Sequence, residues 1–122
     1  MLKTIRFIFI ISLFLVFFLS IVPASTIPIF AALSVLSDKL VHALIYFILG
    51  YIGLLSRFKI SEFLVIFLIF NFGLMIEIIH FFHPYRYFEY LDLLANSIGV
   101  TIALLIFRLK SNLSYWFIIF SP

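Results

Sequence analysis

From about Ile5 to Val22 the chain is apolar apart from Arg6, Ser12 and Ser20, and the run stops at Pro23. Three further apolar runs follow, from about Leu40 to Ser56, Ile60 to Phe82 and Leu93 to Phe107. A helix needs roughly 17–25 mostly apolar residues to cross the hydrocarbon core of a bilayer. The runs lack the period-2 alternation of a membrane barrel strand, so their richness in Phe and Ile does not make them β-structure. The pattern predicts an all-α integral membrane protein, four transmembrane helices forming one small bundle across residues 1–122. The fourth run is short, which predicts that its ends lie in the headgroup zone or in thinned bilayer.

Two apolar stretches are too short to span. Pro28 to Leu36 is expected on the outer interface, with Thr26 as cap and Pro28 in the first helical turn. The tail from Asn112 to Pro122 carries Tyr115 and Trp116, whose amphipathic rings suit the cytoplasmic interface. The first run is longer than the apolar core of a signal peptide, and Pro23-Ala24-Ser25 is a poor cleavage site, so a span is the expectation there.

Composition agrees with this pattern and adds exclusions. Hydrophobic residues make up 66% and charged ones 11%, against about 25% charged in soluble domains. Cysteine is absent, so disulfides and thiolate sites are excluded. The net charge of +3 is scattered and forms no nucleic-acid patch. Its distribution sets orientation instead. Lys3, Arg6, Arg57, Lys59, Arg108 and Lys110 fall on one side of a four-span chain, and only Lys39 and Arg86 on the other. Basic residues are retained in the cytoplasm, so both termini are expected there.

The remaining polar residues converge. Helical rise puts His42 about 22 Å above Arg57, Glu77 about 26 Å above Ile60 and Asn96 about 18 Å above Arg108. All three therefore sit in the outer half of a core about 30 Å thick. Asp38, His42 and Tyr46 share one helix face, Glu77 and His80 another, and Asp92, Asn96 and Gly99 a third. Gly50, Ser97, Gly99 and Ala103 are small enough to let helices approach closely. Ionisable groups at this depth usually face a bundle interior or a wet cavity. The candidate polar cluster is thus Asp38, Lys39, His42, Tyr46, Glu77, His80, Arg86, Asp92 and Asn96.

Several chemistries compete for these residues. Glu77 and His80 form a Glu-x-x-His pair, but the second pair and the extra Glu residues of a di-metal bundle are missing. A mononuclear set of His42, Glu77, His80 and Asp92 is geometrically possible. Scattered ligands without motif spacing more often form a hydrogen-bond network, so neither metal nor other cofactor is assigned. Arg86 is expected to pair with Glu77, Glu89 or Asp92, or else to hold a phosphate. Asp38 and Lys39 are expected to mark the membrane edge, with Ser37 as helix cap. Tyr85, Tyr87, Phe88 and Tyr90 are expected as interfacial anchors. Ser97 has no nucleophile-elbow context.

The same residues bring a family into view. Asp38-Lys39-Leu40-Val41-His42 followed by Tyr46 and Leu49-Gly50, then Glu77 with Pro84 and Arg86, then Asp92 through Gly99, resembles in order and spacing the VanZ-like bacterial membrane proteins. The resemblance covers about residues 35–107. The chain departs from the family pattern at His80, where Gln is common, and at Tyr85 and Glu89, where small residues are usual. The resemblance implies a four-helix membrane domain and an envelope role, since the founding member is associated with resistance to the lipoglycopeptide teicoplanin. The implied partners are membrane lipids and a lipid-linked envelope precursor or a lipoglycopeptide. Three readings stay open: a non-catalytic binding or shielding protein, which leads; an enzyme acting on a lipid-linked headgroup, with His42 or Glu77 as acid or base; and a structural factor whose cluster only orders the helices. Oligomeric state is not legible.

Overall fold

The computed structural model describes residues 1–21, 35–82 and 88–120. Four helices run through them: α1 (Leu2–Ile21), α2 (Val35–Leu55), α3 (Glu62–Phe82) and α4 (Tyr90–Phe120). Each is long and apolar enough to cross a membrane, and no strand occurs among the described residues. The chain is therefore a small all-α bundle of the multi-pass membrane type. Its outward side chains match that setting. Phe7, Phe14 and Phe18 on α1, Phe63 on α3 and Leu105 on α4 are all more than half exposed. In water such a surface would aggregate; against lipid it costs nothing.

Helix α2 packs most extensively on α4, and α3 covers both. The reason is local. A Cβ placed on Gly99 would lie 2.2 Å from the Ala43 carbonyl oxygen and 2.9 Å from the Phe47 nitrogen, so α4 rests directly on the α2 backbone there. One turn further along, Gly50 faces the Ala103 methyl in the same way. Between membrane helices, where apolar burial gains little over lipid, this close packing is the main attractive force. The interior is completed by Tyr46 and Leu49 from α2, Val65, Ile66 and Ile69 from α3, and Val100 from α4. On α3 the buried positions Val65, Ile69, Gly73, Ile76, Glu77 and His80 recur every three or four residues, so one stripe faces inward. That stripe begins apolar and ends in two ionisable side chains.

Helix α1 buries only Phe9 and lies against α2 and α3, as expected of a span with almost no polar interior. Arg6 anchors one end, donating from Nε to the Ser56 carbonyl and from Nη2 to the Arg57 carbonyl, each at 2.9 Å. Arg57 makes the turn out of α2 with φ of 48°, a left-handed cap that exposes its carbonyl to Arg6. Arg108 pairs with Glu62 at 3.0 Å at the same end of the bundle. The other end, where α1 and α3 finish and α2 and α4 begin, carries the polar cluster.

Two boundaries differ from the sequence reading. Helix α4 runs on to Phe120, past the apolar run that ends near residue 107, so 112–120 continues this helix. Arg108 and Lys110 end the apolar run, yet no Pro or Gly interrupts 108–120, and charge alone does not break a helix. Helix α2 starts at Val35, which places Ser37 inside the helix and not at its cap. The interfacial helix expected over 28–36 falls outside the described residues except for its last two positions, which belong to α2.

Candidate functional site

The cluster is built from the first turns of α2 and α4 and the last turns of α3. Asp38, His42 and Tyr46 are four residues apart and descend one face of α2. Asp92 and Asn96 descend the facing side of α4, and Gly99, one turn below, lets the two helices touch. The close helix approach is thus what sets the charged residues opposite each other.

Lys39 is the hub. Its ammonium group contacts Glu89 and Asp92 and lies 3.4 Å from Asp38 Oδ2, with only 16% of its side chain exposed. The sequence offers it both as a marker of the membrane edge and as a member of the polar cluster; in the structure it ties the start of α2 to the start of α4. His42 lies beside it, with Nε2 3.8 Å from Asp38 Oδ1 and 3.7 Å from Asp92 Oδ2. Both separations exceed hydrogen-bond length. One ammonium against three carboxylates leaves a formal excess of two negative charges before His42 is counted.

Deeper in the bundle Glu77 is 1% exposed, and both of its oxygens have partners. Oε1 faces His80 Nδ1 at 3.3 Å, and Oε2 accepts from the Glu89 backbone N–H at 3.2 Å. The Glu89 carbonyl in turn accepts from the Asp92 N–H at 3.2 Å, opening α4. Glu77 therefore reaches across from α3 and satisfies a donor just ahead of α4, where the helix dipole also favours a negative charge. His80 extends the chain of contacts to α1, since its Nε2–H donates to the Ser20 carbonyl at 2.8 Å. A third group lies below. Asn96 and Tyr46 close over Gly73, where an added Cβ would lie 2.7 Å from Asn96 Nδ2 and 3.0 Å from the Tyr46 ring. Asn96 Oδ1 is buried and has no hydrogen-bond partner.

The expected site residues thus divide. Asp38, Lys39, His42 and Asp92 meet in one charged group, Glu77 and His80 form a second, and Tyr46 and Asn96 a third. Arg86 lies outside the described residues, as do Tyr85 and Tyr87. The mononuclear set of His42, Glu77, His80 and Asp92 is not one constellation. Glu77 pairs with His80 while His42 faces Asp92, and among the described residues the three acid and imidazole groups whose ligand atoms all lie within 4.8 Å of one another are Asp38, His42 and Asp92. Two contributors stand outside the candidate cluster read from the sequence, which offers Glu89 only as a partner for Arg86. Glu89 is a direct partner of Lys39, and the excess of acid over base in this part of the chain was the available signal. Gly73 was hidden because a lone glycine in an apolar helix carries no distinguishing pattern.

Fold and site together define a class: a four-helix, multi-pass membrane bundle with a charged cluster at one end. No family model matches the sequence, and no curated protein or solved structure matches it either.

Proposed function

We propose that the chain is a VanZ-like protein of the bacterial cytoplasmic membrane, with both termini inside, whose charged cluster opens on the outer face and binds an envelope component. The component is a lipid-linked precursor or a lipoglycopeptide. One observation carries the reading. Apart from Ser56, every buried polar or charged side chain among the described residues lies at one end of the bundle, while Arg6, Arg57 and Arg108 lie at the other. Basic residues favour the cytoplasmic side, which puts the cluster outside. Ionisable groups are expensive at the membrane and persist there when they have work to do.

The geometry favours binding over catalysis at Glu77. It is 1% exposed and both of its oxygens are turned to internal contacts, so it does not face a substrate as a general base must. Its role is to position the start of α4. His42 and Asp92 are the groups left to meet a ligand, with Asn96 Oδ1 as a further free acceptor.

The test is titration of the purified protein in lipid nanodiscs with lipid-linked envelope precursors and with teicoplanin. Saturable binding without turnover, weakened at least tenfold in Asp92→Asn, is the expected result; a charge-assisted contact of about 1.5–3 kcal/mol gives that factor or more. Turnover of the precursor would move the protein to the enzymes. Absence of both binding and turnover would leave the cluster a structural network and remove the reading.

A further inference from the structure

We infer that Asp38, His42 and Asp92 form a binding site for a divalent transition-metal ion, with Lys39 as the residue that orients its carboxylates. The inference adds to the proposed function and does not depend on which envelope component is bound.

The argument begins with distances. The three ligand atoms all lie within 4.8 Å of one another, and His42 Nε2 stands 3.8 Å from Asp38 Oδ1 and 3.7 Å from Asp92 Oδ2. Neither separation is a hydrogen bond, so the imidazole nitrogen faces two carboxylate oxygens without bonding to either. Ligand atoms around a tetrahedral ion with bonds of about 2.1 Å stand about 3.4 Å apart. His42 therefore needs to close by only tenths of an ångström on each carboxylate, and the two carboxylates, within 4.8 Å of each other, by at most about 1.4 Å, within reach of side-chain rotations.

The division of oxygens points the same way. Lys39 takes Asp92 Oδ1 and approaches Asp38 Oδ2, whereas His42 faces Asp92 Oδ2 and Asp38 Oδ1. Each carboxylate thus gives one oxygen to the ammonium and turns the other toward the imidazole. Outer partners of this kind fix the orientation of metal-ligating carboxylates. The charges also balance. Lys39, Asp38, Glu89 and Asp92 leave an excess of two negative charges that a divalent ion cancels, and of the carboxylates Asp92, with 7% of its side chain exposed, is the one for which compensation matters most. One imidazole and two carboxylates form a mixed N/O set suited to ions such as Mn²⁺ or Zn²⁺, and three protein ligands leave a position open to water.

The experiment is titration of the tag-free full chain in nanodiscs with Mn²⁺, read by electron paramagnetic resonance, and with Zn²⁺ as competitor. One ion per chain is expected, released by chelator. Loss of an orienting partner alone weakens metal sites 10–100-fold, so removing a direct ligand in His42→Gln or Asp38→Asn should cost at least tenfold. Glu62→Gln, a carboxylate removed at the opposite end of the bundle, should bind as the parent does. Circular dichroism establishes that each variant keeps its helices. The Asp38 side chain is 40% exposed, so Asp38→Asn remains a fair test if His42→Gln fails to fold. Absence of saturable binding by the parent chain, or binding unchanged in Asp38→Asn, would overturn the inference. No envelope ligand is present in this titration, so its failure is separate from failure of the proposed function.

Discussion

Lys39 shows how much one side chain can change the meaning of its neighbours. Held to 16% exposure among Asp38, Glu89 and Asp92, it joins two helices that would otherwise present carboxylates to each other. Lys39→Met is expected to lower stability by about 1–3 kcal/mol. That is less than the 3–5 kcal/mol for a fully buried pair, because Asp38 and Glu89 stay partly solvated. Thermal unfolding in detergent or nanodiscs checks this, and an unchanged melting temperature would mean that Lys39 is not the hub. This role was not legible in the sequence, since a lysine before an apolar run is as easily an interfacial anchor as a buried partner. Asp38, His42, Asp92 and Asn96 were legible, because spacings of four place each pair on one helix face. The division of the whole cluster into three groups was not, because face and depth do not fix which acid meets which base.

At the level of elements, the α2–α4 contact is the joint on which the cluster depends. Gly99 sits where any side chain would collide with the Ala43 carbonyl, which backbone rigidity prevents from yielding. Gly99→Ala is expected to push the helices apart and destabilise the fold by about 1–3 kcal/mol or more, as overpacking does. The same change should weaken any ligand bound by His42 and Asp92, although neither residue is touched. Melting and ligand titration on one sample check both effects, and a variant as stable as the parent would place the α2–α4 contact elsewhere. Small residues announced this interface in the sequence. The extent of α4 was hidden, because hydropathy marks where a helix leaves the apolar core and not where its hydrogen bonding ends.

The whole molecule separates its chemistry along the membrane normal. Among the described residues, one end collects Arg6, Arg57 and the Glu62–Arg108 pair, the other collects Lys39, His42, Glu77, His80, Asp92 and Asn96, and the belt between them carries no charged side chain. This polarity underlies both the orientation and the function proposed for the chain, and it follows from where ionisable residues stand relative to the apolar runs. Absence of cysteine makes it directly measurable. A single cysteine at Tyr90, which is 79% exposed beside the cluster, and another at the exposed Lys59 can each be treated in intact cells with a membrane-impermeant thiol reagent. The account predicts modification of Tyr90→Cys in intact cells and of Lys59→Cys only after permeabilisation. Modification of Lys59→Cys in intact cells, with Tyr90→Cys protected, would contradict it.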